Sequence, residues 1–392
     1  MTLMSDSKGS PLVSTIRIVI VIRSFNLGGA ERQAVHLANW IHLSGDFHVE
    51  VVAFEAGSAV PSLLAPGIPV KILHPGKTGL FSRFLGAIRF TRGLRNTRAD
   101  IFIPFTDWPN KAVGAVWPLT GAKACIWNQR DEGREVTGRF LERRALKQAS
   151  SFVANSKSGV DFLSAHMGVE PTRISAIPNC VVPLKPQQSR EQWREQLSID
   201  PQAFVVTMVA SLSRFKDHPT LLQAWPLARK ASPGSMLLLA GRDGDRGPRI
   251  RELASELEGV HLLGEVDDVG GLLAASDVLA HSSFREGTPN AILEAMAAGL
   301  PVVATDIPGT RAALGPDCRW LIPARDAPAL ARAIEDLARD QQLRSHTGKQ
   351  NRERALQEFS PSKVSKAWLD VIQPLLQGEN PKPFGTHGQK GH

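Results

Sequence analysis

Glu286 and Glu294 stand with seven residues between them in the stretch 282–305, SSFREGTPNAILEAMAAGLPVVAT. Gly287 and Thr288 separate the first glutamate from a helix predicted to begin at Pro289, where a missing N–H costs nothing. The free amides of such a start, from Gly287 to Asn290, favour an anion, typically phosphate. Glu294 lies about one turn further in, and helical side chains lean back toward the N-terminus, so its carboxylate faces the same mouth. Carboxylates accept hydrogen bonds from hydroxyls and repel phosphate. One site can therefore hold phosphate on amides and sugar hydroxyls on acids, the two halves of a sugar nucleotide. The plainer alternative is an amphipathic helix carrying two solvated glutamates.

The flanking residues position this stretch. Gly299 stops the helix, Pro301 prevents it restarting, and Val302, Val303 and Ala304 read as a strand buried in a parallel sheet. Near the start of the chain, a strand at 16–22 leads into SFNLGGAERQAVHLANWIHLSG, a glycine turn followed by an amphipathic helix. The turn Gly28-Gly29 lets backbone approach a ligand closely at the mouth of a sheet, although no G-x-G-x-x-G accompanies it. Further strands are predicted at 48–54, 70–73, 99–104 and 124–127. The helix expected over 80–96 mixes Phe81, Phe84, Leu85 and Ile88 with Arg83, Arg89, Arg92 and Arg95. It either rests on anionic lipid or packs on the sheet with its arginines solvated. After the strand at 124–127 comes NQRDEGRE, whose Arg130 and Arg134 could meet an acceptor or donor phosphate or remain surface arginines.

In the second half, the apolar strand 204–210 runs into SLSRFKDHPTLLQAW. Arg214 and Lys216, in a loop at the carboxyl end of a strand, suit a diphosphate that gains charge as its bond to sugar breaks. MLLLA at 236–240 precedes GRDGDRGP, where Asp243 and Asp245 spell an Asp-x-Asp pattern suited to Mg²⁺ or Mn²⁺. Three letters make a weak motif, and no metal site is assigned from them.

Length and composition frame these motifs. At 392 residues the chain is long enough for about two domains, and 21 % charged with 42 % apolar residues suggests an ordinary soluble protein. The three scattered cysteines argue against a disulfide framework and fit a reducing, cytoplasmic compartment. The start MTLMSDSKGS lacks a basic region and an apolar core, so no signal peptide is expected, and no run is long enough to span a bilayer. Residues 1–182 carry 21 Lys and Arg against 13 Asp and Glu, while residues 183–392 hold 25 of each. That asymmetry points to an anionic partner for the first half. No nucleic-acid-binding signature accompanies it, so an anionic membrane surface or a phosphate-bearing acceptor is the expected partner.

EGTPNAILEAMAAGLPVV resembles the signature of the retaining, nucleotide-sugar-dependent glycosyltransferases of family 4, and GGAERQAVHLA resembles their first loop and helix. The resemblance spans about residues 16–376. It implies an α/β protein of the GT-B type, two Rossmann-like domains with parallel sheets facing across a cleft and a C-terminal helix returning to the first domain. The boundaries expected are 14–183 for the acceptor-side domain, 184–199 for a linker and 200–359 for the donor-nucleotide domain. A closing helix over 360–377 and a disordered tail over 378–392 complete the chain.

The resemblance further implies transfer of a hexosyl group from a nucleoside diphosphate sugar, a UDP-sugar, to a glycan or lipid-linked acceptor, with no metal and no cofactor beyond that co-substrate. Envelope polysaccharide synthesis at the inner face of the cytoplasmic membrane is the setting it suggests. By the same resemblance Glu286 holds donor-sugar hydroxyls, Glu294 the ribose and Lys216 the phosphates, with Gly28, Gly29, Gly287, Thr288, Pro289 and Asn290 around the donor. Ser211 stands where the family has an arginine, which leaves Arg214 to substitute. No histidine occurs between His74 and His166, where many members carry one. An epimerase, a hydrolase or a non-catalytic sugar-nucleotide-binding subunit is the alternative, because a fold does not settle a function.

Overall fold

The computed structural model describes residues 16–75, 80–133 and 137–379. Arg134 and the tail beyond Glu379 lie outside them. Two parallel sheets carry the architecture. The first comprises β1 (Ile16–Ser24), β2 (Phe47–Glu55), β3 (Val70–Ile72), β4 (Ile101–Pro104), β5 (Ala124–Gln129), β6 (Ser151–Ala154) and β7 (Ile174–Ala176), in the order β3-β2-β1-β4-β5-β6-β7. The second comprises β8 (Val205–Val209), β9 (Met236–Ala240), β10 (Val260–Gly264), β11 (Val278–His281), β12 (Val302–Thr305) and β13 (Leu321–Ile322), in the order β10-β9-β8-β11-β12-β13.

The buried stretches of the central strands are largely apolar because helices cover both faces of each sheet there. In β1 the two-residue period sends Ile18, Ile20 and Ile22 into one buried cluster and Val19 and Val21 into another on the opposite face. In β9, Leu237 and Leu239 face one cluster while Leu238 and Ala240 face the other. The strand order reverses between β1 and β4 in the first sheet and between β8 and β11 in the second. Loops leaving the carboxyl ends at such switch points form the crevice where open α/β sheets bind ligands. Gly28-Gly29 and Thr106 leave one switch point, and the loops holding Lys216 and Glu286 leave the other.

The last helix, Pro361–Leu376, returns to the first domain as the resemblance implies. Its Val364, Ala367, Trp368, Val371, Ile372 and Leu375 are buried with Val35, Leu37 and Ile41 of the helix Gly29–Ser44. Over 80–96, the helix Leu80–Arg95 buries Phe90 and Leu94 against Phe54 and Phe102, with Arg89, Arg92 and Arg95 exposed. Leu85, expected on its apolar stripe, is 39 % exposed.

Two sequence expectations change. Residues 190–196, expected within the linker at 184–199, form the helix Arg190–Gln196. A capping box of Ser189 and Gln192 starts it, Trp193 Nε1 donates to Asp268 Oδ2 at 2.9 Å, and the buried Arg194 pairs with Asp277 Oδ2 at 3.0 Å. These contacts make it part of the second domain. The helix expected to start at Pro289 starts at Asn290, because Pro289 keeps an extended backbone and acts as the cap residue.

Candidate active site

Backbone bonds stitch together the loops after β8 and β11. The Asp217 N–H donates to Ser282 O at 3.0 Å, and Lys216 bridges to Ser283. This brings Lys216 Nζ onto Glu286 Oε1 in an ion pair. His281, the last residue of β11, reaches the same oxygen through Nε2 at 2.9 Å. Burial works to raise the Glu286 pKa, but the Lys216 charge and the His281 hydrogen bond overcome it and hold the carboxyl well below its ordinary range. His281 is pushed down by burial and then by Lys216, so it stays neutral, and its Nε2–H donates to the carboxylate.

Glu294 sits one turn along the helix Asn290–Ala297 and is nearly covered. Its Oε1 accepts a hydrogen bond from Arg32 Nη1 at 2.6 Å, across the two domains. A mesh of amides closes the remaining gap between them. Asn290 Nδ2 donates to Gly29 O at 2.9 Å, and Asn290 Oδ1 accepts from Asn179 Nδ2 at 2.6 Å and from Gln33 Nε2 at 3.2 Å. Asn179 Nδ2 also donates to Thr288 O at 2.7 Å. Gly287 leaves room for the Asn155 amide, since a methyl group on it would come within 2.7 Å of Asn155 Oδ1.

The result is a cleft of about 440 Å³ between the domains. Lys216, Glu286, Gly28, Gly29, Gly287, Thr288, Pro289, Asn290, Glu294 and Arg130 all line it. Arg130 is held by Asn128 Oδ1 at 3.3 Å and by Asn179 Oδ1, with its guanidinium 5.6 Å from the Phe105 ring centre, and burial lowers its pKa to about 10. Arg214, expected as a phosphate ligand, does not line the cleft. Its backbone N–H donates to Asp245 Oδ1 at 2.9 Å, and its exposed side chain stacks on Phe215 at 5.1 Å. Arg242, in the loop that follows β9, lines the cleft instead, together with Arg32 and Thr106. Asp243 and Asp245 are engaged by Arg251 and Arg214 respectively, and no group of three or more metal-ligating side chains occurs among the described residues.

Two further histidines near the cleft are held neutral. His36 is lowered to about 4 by burial and Arg32, and His218 to about 4 by burial, Lys216 and His281. The unfolded chain takes up protons on these groups near the ordinary value of 6.5, while the folded chain does not. Stability therefore falls as pH drops below about 6.5. Thermal melts from about pH 6.5 to 5, above the range in which carboxylates titrate, are expected to show a falling Tm that His218→Asn partly flattens. An equal slope in the variant would remove His218 from this account.

Two parallel-sheet domains, a closing helix and a cleft between two switch points define the GT-B class. The fold matches that of Anabaena HepE, crystallised with UDP and glucose, with a TM-score of 0.80 at 21 % identity over 91 % of this chain and 99 % of that one. The glycosyltransferase WaaG, of lipopolysaccharide biosynthesis, matches with a TM-score of 0.68 at 20 % identity, covering 91 % and 99 % of the two chains. Residues 27–183 match the family Glycosyltransferase Family 4 and residues 203–340 match Glycosyl transferases group 1. The chain belongs to the family 4, group 1 glycosyltransferases. The lipopolysaccharide core biosynthesis glycosyltransferase LpsE of Rhizobium meliloti is 28 % identical over 57 % of this chain and 73 % of its own length. An N-acetylgalactosaminyltransferase of Campylobacter jejuni, named for the N,N'-diacetylbacillosaminyl-diphospho-undecaprenol it modifies, is 26 % identical over 60 % of this chain and 64 % of its own.

Proposed function

We propose that this protein transfers a hexosyl group from a UDP-sugar to a glycan or lipid-linked acceptor in polysaccharide or lipopolysaccharide assembly, with retention of configuration and without a metal. The observation that carries the reading is the convergence of Lys216, Glu286 and Glu294 around one helix start, opposite the Gly28-Gly29 turn. Glu294 takes the ribose hydroxyls and Glu286 the sugar hydroxyls. The amides from Gly287 to Asn290 and the Lys216 ammonium take the diphosphate. The bond from sugar C1 to the β-phosphate oxygen breaks, and its electron pair stays on that oxygen, where Lys216 meets the charge. The acceptor hydroxyl attacks from the same face and passes its proton to a donor phosphate oxygen. Arg130, half-buried on the first domain's side of the cleft, and Arg134 are the acceptor-side candidates.

A thermal-shift screen of sugar nucleotides tests the donor, since a ligand at one hundred times its dissociation constant adds about 2.7 kcal/mol of stability. Glu294→Ala is expected to weaken UDP binding about tenfold, the scale of one hydrogen bond to a charged group. Unchanged affinity would remove the ribose assignment. Release of UDP without acceptor at the full rate would turn the reading toward a hydrolase.

The basic first half, with Arg89, Arg92 and Arg95 exposed on one helix, supports contact with the inner face of an anionic membrane. No helix among the described residues is long and apolar enough to cross a membrane. Each basic side chain at the surface contributes about 1 kcal/mol. Liposome sedimentation should show binding to anionic but not neutral vesicles, weakened by salt and by neutralising Arg83, Arg89, Arg92 and Arg95 together. Equal partitioning to both vesicle types would end this part of the reading.

A further inference from the structure

The leaving diphosphate needs cations positioned before the bond breaks, an argument that rests on the donor reading above. Among the side chains expected to supply them, Lys216 is paired with Glu286 and Arg214 stacks on Phe215 outside the cleft. Arg32 reaches in from the opposite domain. It bonds the carboxylate read as the ribose acceptor, with its own side chain 24 % exposed against 8 % for Glu294. Arg32 holds Oε1 of Glu294, and a ribose hydroxyl that takes this oxygen releases a guanidinium into the same cavity that receives the phosphates.

The distance to a second position is short. Glu294 lies four residues beyond Asn290, about 6 Å along the helix at 1.5 Å per residue. Asn290 in turn bonds the carbonyl of Gly29, three residues before Arg32 in the chain. A swing of about one helical turn thus carries the guanidinium to the helix start, where the amides favour phosphate. Its planar fork of donors matches two phosphate oxygens, a geometry that a lysine cannot reproduce.

We propose that Arg32 is a leaving-group residue supplied by the first domain, exchanged from Glu294 onto the donor's diphosphate as the ribose takes its place. No bond to Arg32 forms. It neutralises charge passing to the β-phosphate oxygen, and it ties recognition of the ribose to engagement of both domains.

Titration of wild type, Arg32→Ala and Arg32→Lys with uridine and with UDP tests this. Uridine has no phosphate, so removing the competitor for Glu294 should leave its affinity equal or higher in Arg32→Ala. The preference for UDP over uridine should fall about tenfold or more in the same variant, with Arg32→Lys in between. An unchanged preference would overturn the proposal while leaving the donor reading intact. Weaker uridine binding in Arg32→Ala would also overturn it, by making Arg32 a structural support of the ribose site. Failure of the wild type to bind either probe would sink the donor reading and this inference together.

Discussion

Lys216→Ala is expected to lower turnover about 10²-fold or more, the scale of losing one preorganised stabiliser of developing charge. The lysine is placed for this by backbone rather than by its own reach: its N–H donates to Ser213 O at 3.0 Å, and the bridge to Ser283 locks the loop against the end of β11. Two effects follow from its removal, and they separate in experiment. Loss of charge at the diphosphate lowers kcat at every pH. Loss of the Lys216–Glu286 pair leaves a buried carboxylate held down only by His281, so its pKa rises, and the acid limb of the pH–rate profile should move to higher pH. Lys216→Arg keeps the charge and should restore the position of that limb better than it restores the rate. Wild-type turnover in Lys216→Ala would assign the leaving-group charge to Arg32 or Arg242. Activity is also expected to persist in EDTA, and its abolition with rescue by Mn²⁺ would bring Asp243 and Asp245 back as ligands.

The parts of this site that were legible in the sequence are those set by local rules. Lys216, Glu286 and Glu294 lie in strand-to-helix loops and a first helical turn, where the chain's own period fixes which way a side chain faces. Arg214 stands apart from Lys216 by the single residue Phe215, and with its N–H bonded to Asp245 its side chain lies exposed on Phe215 rather than in the cleft. Arg32 was missed because its partner is 262 residues away. His281 ends an apolar strand and reads as one more buried residue until the loop after it folds Glu286 back. The fold shows the same division. The strands follow from apolar runs, whereas the helix Gln341–Glu358, QQLRSHTGKQNRERALQE, has no apolar stripe to announce its packing. It docks through a bare backbone contact, since a methyl group on Gly348 would come within 2.0 Å of Gly299 O, and through Asn351 Nδ2 donating to Leu300 O at 2.9 Å. The linker helix hid behind its composition, although Ser189 and Gln192 stand at capping-box spacing before Trp193.

Trp368→Ala is expected to cost about 3–5 kcal/mol, the range for truncating a large aromatic side chain in a packed core. The reason is where the residue sits. The chain leaves the second domain through Phe359, which is buried in that domain's core and whose carbonyl accepts from the Val181 N–H at 2.8 Å. It then lays the helix Pro361–Leu376 on the first domain, where Trp368 is 3 % exposed among the side chains of the helix Gly29–Ser44. That second helix carries Arg32 and Gln33, and Trp368 lines a small void of about 20 Å³ with Gln33, Cys180 and Arg130. A cavity at 368 should therefore loosen the wall that meets Glu294 and Asn290 as well as lower the melting temperature. Leu356→Ala provides the comparison, because that leucine is 42 % exposed and its loss should stay within about 0.5 kcal/mol. Denaturant titrations of the two variants give the difference directly. A loss below about 1 kcal/mol for Trp368→Ala would mean that the last helix is not docked on the first domain in solution, and the clamp between the domains would then rest on the amide mesh around Asn179 and Asn290 together with the Arg32–Glu294 and Arg285–Glu132 pairs.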